Sequence, residues 1–147
     1  WNMILEIFNL LHFLGLAYGL GGATIATIIS RKAEKDAEIG KAFMKIIPSI
    51  SKLIWVGLIL LIISGVGISF YVKWPINKQV LLVKHFLVAW IVVIGIIISK
   101  KVKRIGKLAV GKEKPSIELI KIKKQMKFFS IINLILWYLV TLLSVFV

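Results

Sequence analysis

The chain has 147 residues, 59% of them hydrophobic, and yet it carries a formal net charge of +14. A soluble domain would mix these two kinds of residue, whereas here they form separate blocks, as expected when lipid is the main solvent. The length favours a single domain. The absence of cysteine excludes disulfide bonds, thiolate metal sites and a cysteine nucleophile.

Four apolar runs follow one another, at residues 4–29, 53–72, 80–99 and 128–147. Each holds roughly the 20 residues that a helix needs to cross about 30 Å of hydrocarbon. The first run carries Glu6 and is too long for the apolar part of a cleavable signal peptide, so we expect it to span the membrane. The sequence predicts an all-α fold, a four-transmembrane-helix bundle in which residues 1–147 form one domain.

The basic residues predict the orientation of this bundle. Of the 20 lysines and arginines, six lie between the first and second runs and eleven between the third and fourth. Because such residues concentrate in cytoplasmic loops, we expect a multi-pass protein of the cell membrane with both termini outside. We also expect helix three to extend into the cytoplasm until Gly111, helix four to start near Pro115 and Ser116, and Gly40 and Pro48 to break the first loop.

The excess of basic residues also invites a comparison with nucleic-acid-binding proteins, because Lys and Arg displace counterions from phosphate. Here the charges flank apolar runs, and no zinc or RNA-binding signature accompanies them. We therefore expect membrane lipid as a partner and no nucleic acid, and a homo-oligomer is compatible with the sequence. The lack of a catalytic serine, a carboxylate pair and a phosphate-binding glycine loop argues against a hydrolase or an NTPase.

Both histidines fall inside apolar runs. His12 lies about 12 Å along helix one from Ile4, and His85 about 8 Å along helix three from Val80. Since these helices run in the same direction, we expect the two imidazoles at similar depth in the outer half of the membrane. An imidazole in hydrocarbon needs a partner for each ring nitrogen, and two imidazoles without cysteine suit a b-type haem better than zinc. Interhelical hydrogen bonding is the alternative.

Small and polar residues accompany His12. Gly15, Gly19 and Gly22 share its face of helix one, where the bare backbone would let a flat macrocycle approach. Small residues at such spacings are also the usual means by which two membrane helices pack closely. Asn9, one turn before His12, is a candidate to orient the imidazole ring, although it can equally join helices.

Lys84 also lies inside an apolar run, where burying its charge in hydrocarbon would cost free energy. If it faces inward, it is a cation close to His85, suited to a haem propionate or to a carboxylate of a porphyrin substrate. If it faces outward, it extends its ammonium to the membrane surface. Neighbours on a helix point about 100° apart, so Lys84 and His85 cannot both face the centre of the bundle.

Three segments resemble a known group of membrane proteins. The stretch His12-Phe13-Leu14-Gly15, with Gly21-Gly22 later in the same run, resembles the first helix of the HemJ-type protoporphyrinogen oxidases and their CopD-like relatives. Leu81-Leu82-Val83-Lys84 resembles the lysine-bearing segment of that group. Asn133, followed by an apolar run ending in Leu143-Ser144-Val145, resembles their closing helix.

The resemblance implies a four-helix bundle in which His12 ligates haem b and Lys84 is the catalytic residue. In the HemJ-type enzymes, protoporphyrinogen IX is oxidised to protoporphyrin IX and electrons pass to a membrane acceptor such as a quinone. This chain departs from the pattern, because His85 follows the lysine and the longer histidine-bearing tail of helix three is missing. We expect a haem b-binding redox protein of the membrane, with His12 and His85 as metal ligands and either electron transfer or porphyrinogen oxidation as its activity.

Two other functions remain open. A CopD-like protein would handle copper, but Cu(I) prefers thiolate and thioether ligands, and only Met3, Met44 and Met126 are present, spread over both sides of the membrane. A non-catalytic membrane subunit would dock a partner or anionic lipid through its basic cytoplasmic helices. The two histidines are expected to matter only for the haem hypothesis.

Overall fold

A computed structural model describes residues 2–71, 77–109 and 116–146, and the fold is all-α. Its four helices are α1 (Asn2–Ala33), α2 (Ala37–Tyr71), α3 (Lys78–Ala109) and α4 (Ile117–Leu143). Each is long and apolar enough to cross a membrane. The prediction of an all-α fold with four helices long and apolar enough to span a membrane is therefore confirmed. The helices extend well beyond the apolar runs at the end that carries most of the lysines.

The outward surface of the bundle is apolar. Phe70, Leu82 and Phe13 expose 82%, 73% and 71% of their surface, and many other large apolar side chains are exposed with them. A water-soluble bundle turns such side chains inward, and extended apolar surface in water would drive association. Together with the helix lengths, this surface indicates a multi-pass membrane protein.

A tight turn joins α1 to α2. The carboxylate of Asp36 caps α2, because its Oδ1 accepts hydrogen bonds from the backbone N–H of Glu38 at 2.8 Å and of Ile39 at 3.3 Å. Acceptors at this position satisfy N–H groups that a helix start leaves unpaired. The helix is thereby established before Gly40, whose N–H donates to the Asp36 carbonyl at 2.9 Å.

The prediction that Gly40 and Pro48 break this region is wrong. Both residues lie inside the continuous helix α2. Gly40 follows the Asp36 cap and continues the helical hydrogen bonding, so it does not act as a terminator. A proline removes only one backbone donor, and the turns on either side of Pro48 keep their own hydrogen bonds.

The extensions of α3 and α4 form a second hairpin. Ser116 caps α4, as the sequence predicts, whereas Gly111 and Pro115 lie outside the described residues. A salt bridge between Arg104 and Glu118 joins the two extensions. This pair is exposed, so we attribute the stability of the hairpin mainly to the apolar side chains packed between its helices.

The helices are arranged in a ring in chain order. The α1–α2 and α3–α4 pairs are packed most closely, whereas α2 and α3 touch at few positions. Within the described residues α1 and α3 make no close backbone approach, so they lie diagonally opposite each other. We call the end where α1 and α3 finish the basic end, and the end where they start the distal end.

An apolar layer fills the middle of the bundle. Trp137, only 1% exposed, packs there with Ala23, Leu58, Ile91 and Val140. All four helices contribute to this central apolar layer, which divides the interior into a distal half and a basic half. Each half contains its own polar side chains.

Candidate functional site

His12 lies in the distal half and faces the interior of the bundle. The ring is half-buried, and its Nδ1 lies 3.0 Å from the Oγ of Ser64 on α2. Ser64 is completely buried, with 0% of its surface exposed. One ring nitrogen of His12 is therefore held by a hydrogen bond to the neighbouring helix.

The surroundings of Ser64 bear on the tautomer of His12. The hydroxyl of Ser64 also donates to the carbonyl oxygen of Leu61 at 3.2 Å. A hydroxyl has only one proton, so when Leu61 receives it the Ser64 oxygen accepts the Nδ1 proton of His12. In the neutral imidazole this arrangement leaves a lone pair on Nε2, which has no hydrogen-bond partner among the described residues.

Lys84 shares this region with His12. The side chain is half-buried, and the residue lies on the same face of α3 as Leu87, Val88 and Ile91, which pack in or against the central apolar layer. Of the two neighbours on α3, the lysine is therefore the one that faces the interior.

His85 points the other way. It is exposed, and its Nδ1 lies 2.7 Å from the carbonyl oxygen of Leu81 on its own helix. Because His85 is exposed and bonded to its own helix while His12 faces the interior, no contact among the described residues joins the two imidazoles. The expected pair of histidine ligands is not formed here, and the assignment of His85 as a ligand stays a prediction without support from its contacts.

Neighbouring side chains and backbone occupy the space beside the glycines on the His12 face of α1. A Cβ on Gly15 would lie 2.8 Å from the carbonyl oxygen of Gly57, and one on Gly22 would lie 2.8 Å from the side chain of Ile54. Gly19 faces the indole ring of Trp137. These contacts match the helix-packing alternative, and a role of the three glycines in binding a cofactor stays a prediction.

Asn9 is exposed at the distal end. In the described part of the chain no hydrogen bond joins it to His12, whose Nδ1 is bonded to Ser64 instead. The residue that orients the imidazole ring is therefore Ser64, which the sequence did not single out. Its only signal was a polar side chain inside the second apolar run, seven residues after Gly57 and so on the same face of the helix.

Within residues 2–71, 77–109 and 116–146 no three His, Cys, Asp or Glu side chains lie together. A zinc ion needs three or four such ligands, whereas the iron of a haem needs one or two. In the tautomer that donates from Nδ1 to Ser64, His12 leaves the lone pair of Nε2 as one such donor atom.

No protein-family model, curated protein or solved structure matches this chain. A function for this chain is therefore inferred from the geometry around His12 and from the resemblance in sequence.

Proposed function

We propose that this protein is a haem b-binding redox protein of the membrane, in which Nε2 of His12 would ligate the iron. The observation that carries the proposal is the hydrogen bond between His12 Nδ1 and the buried hydroxyl of Ser64. A histidine that ligates a metal usually donates its other ring proton to such a partner, which fixes the tautomer and the ring orientation. Bound haem would supply one-electron chemistry in the distal half of the bundle.

The chain's own residues would do three things for this group. Ser64 holds the imidazole ring, and His12 presents Nε2 as a ligand. Lys84, half-buried on the face of α3 that is turned to the interior, would provide a positive charge for a propionate or for a carboxylate of a porphyrin substrate. Because Ser64 and Lys84 belong to α2 and α3, the pair of neighbouring helices that touch at fewest positions, this side favours lateral entry of a large flat molecule.

The proposal includes an orientation in the cell membrane. Because lysine-rich loops favour the cytoplasmic side, the basic end would lie in the cytoplasm, with His12 in the outer half of the membrane and both termini outside. In intact cells, a membrane-impermeant thiol reagent should not label Lys35→Cys. Labelling of this variant would contradict the proposed orientation. A cysteine introduced at Ser144 is expected to react under the same conditions.

Two activities are compatible with such a site. One is electron transfer alone. The other, which follows from the resemblance, is oxidation of protoporphyrinogen IX, with the electrons passed to a membrane acceptor such as a quinone. With His85 exposed, Lys84 is the charged residue of α3 in the distal half that faces the centre, and it is the lysine that the resemblance implies to be catalytic.

Replacing Ser64 by alanine tests the assigned hydrogen bond. We expect Ser64→Ala to weaken haem binding by about 10- to 100-fold, because loss of an outer partner of a ligating histidine typically has this effect. The measurement is a titration of purified protein with haemin, followed by absorbance. Ser69→Ala is the matched control, since the hydroxyl of Ser69 is exposed and bonds only the carbonyl of Gly65 on its own helix. Equal affinities of the two variants would contradict the role of Ser64.

A further inference from the structure

A second polar region lies on the other side of the central apolar layer. It is a cavity in the basic half of the bundle, lined by residues of all four helices, with about 80 Å³ open to water-sized molecules. Its walls are mainly apolar and include Ile47, Ile54 and Ile98. Along α1, Ala23 in the central apolar layer is already about 16 Å from His12, so this cavity is distinct from the candidate haem site.

An unpaired amide lies in the wall of this cavity. Asn133 is only 7% exposed, and its side-chain oxygen is buried without a hydrogen-bond partner among the described residues. Buried polar groups are normally paired, because removal from water without a partner is unfavourable. The side chain therefore lacks a hydrogen-bond donor that a bound molecule can supply.

Three hydroxyls in the same wall are also unpaired. Ser30, Ser51 and Ser130 line the cavity, and within the described ranges none of their hydroxyls has a hydrogen-bond partner. Helical hydroxyls elsewhere in this protein donate to the carbonyl four residues earlier, as those of Thr24 and Ser69 do. The cavity thus offers polar groups that local backbone acceptors do not already occupy.

Two cations lie where the cavity approaches the surface. Arg31, in the last turn of α1, is exposed and has no ion-pair partner in the described part of the chain. Lys127 also lines the cavity, and its ammonium bonds a carboxylate oxygen of Glu34 at 2.9 Å. Lys127 is about 9 Å from Asn133 along α4, which sets the distance between the charged and the deep parts of the cavity.

We propose that this cavity binds an amphipathic organic anion about 10 Å long. Its carboxylate or phosphate meets Arg31 and Lys127, its apolar body lies against the isoleucine wall, and a hydroxyl or N–H at its far end donates to Asn133. A charged group alone would leave the amide of Asn133 unpaired, and an alkyl chain alone would leave Arg31 without an ion-pair partner among the described residues. The site does not depend on haem binding at His12.

Three small probes of equal chain length separate these features. They are 8-hydroxyoctanoate, which has both end groups, octanoate, which lacks the donor, and 1,8-octanediol, which lacks the charge. In nanodiscs of zwitterionic lipid, saturation-transfer NMR is expected to show 8-hydroxyoctanoate binding about tenfold more tightly than either of the others. Equal affinities for the three probes, or no binding at millimolar concentration, would overturn the proposal.

Variants assign the binding to this cavity. Arg31→Gln is expected to weaken 8-hydroxyoctanoate about tenfold and to leave 1,8-octanediol unchanged, with the neighbouring Lys32→Gln as the matched control. Asn133→Leu is expected to abolish the advantage of 8-hydroxyoctanoate over octanoate, with the exposed Asn9→Leu as its control. Binding that is unaffected by both cavity variants contradicts the assignment.

The thermal stability of each variant shows whether weaker binding results from a lost contact with the ligand or from a misfolded protein. Because Asn133→Leu replaces an unpaired amide by an apolar side chain of similar size, its thermal midpoint in detergent should not fall below that of the unaltered protein. Arg31 lies on the exposed side, so Arg31→Gln carries the test even if Asn133→Leu does not fold.

Adding phosphatidylglycerol to the nanodiscs identifies the natural source of the ligand. Competition with the probe indicates a membrane lipid, and lack of competition indicates a soluble anion.

Discussion

Replacing His12 by alanine is expected to abolish haem binding, whereas replacing His85 by alanine is expected to leave it nearly unchanged. His12 faces the interior with Nε2 available, while His85 is exposed and bonded to its own helix. Since loss of an outer partner alone costs about 10- to 100-fold in metal affinity, loss of the ligand itself should cost at least about 100-fold. The measurement is the Soret absorbance of each purified variant after reconstitution with haemin.

The two variants control for each other, because each removes one imidazole from an apolar run at similar depth. Circular dichroism and the elution volume in size-exclusion chromatography establish that both are folded. If the His85 variant lost haem and the His12 variant kept it, the assignment of the axial ligand would be reversed. If both lost it, a pair of ligands would have to form by a rearrangement of α3 that the present structure does not show.

The second large effect is expected at Gly57, where α1 and α2 meet. A Cβ on this residue would lie 2.7 Å from the carbonyl oxygen of Gly15 and 2.9 Å from the Cα of Gly19. Both atoms are backbone, so they cannot turn away as a flexible side chain can, and the helices would have to separate. We expect Gly57→Val to lower the free energy of unfolding by about 2 kcal/mol or more, and Gly57→Ala to lower it by a smaller amount.

Gly21→Ala is the matched control for Gly57→Ala, because a Cβ on Gly21 would have nothing within 4 Å. The measurement is denaturation of each variant in mixed detergent micelles, followed by circular dichroism. If the alanine variants at 57 and 21 were equally stable, the close contact between α1 and α2 would not exist in the membrane.

The number and type of the helices could be predicted from the sequence, because crossing hydrocarbon demands a long apolar run with all backbone groups paired internally. Helix boundaries outside the membrane were less predictable. Glycine and proline are residue types that often interrupt helices, but the cap at Asp36 starts α2 before Gly40 and Pro48 are reached. The start of α2 is therefore set by the Asp36 side chain, which accepts hydrogen bonds from backbone groups two and three residues later. Gly40 and Pro48 do not set it.

The candidate site was only partly predictable, because the sequence gives the depth of a residue but not the direction in which its helix is turned. The sequence predicts similar depths for His12 and His85, yet the rotation of α3 turns Lys84 inward and His85 outward. Ser64 was missed for a related reason: a serine in an apolar run becomes informative only when the facing helix is known. Likewise, the packing role of Gly15 requires knowledge of its contact with Gly57.

The central claim is that His12 binds haem b, and a haemin titration of the purified protein in lipid nanodiscs tests it most directly. We predict a Soret band that saturates at one haem per chain, shifts on reduction with dithionite and is absent in His12→Ala. A protein that develops no Soret band beyond that of haemin in empty nanodiscs would contradict the claim.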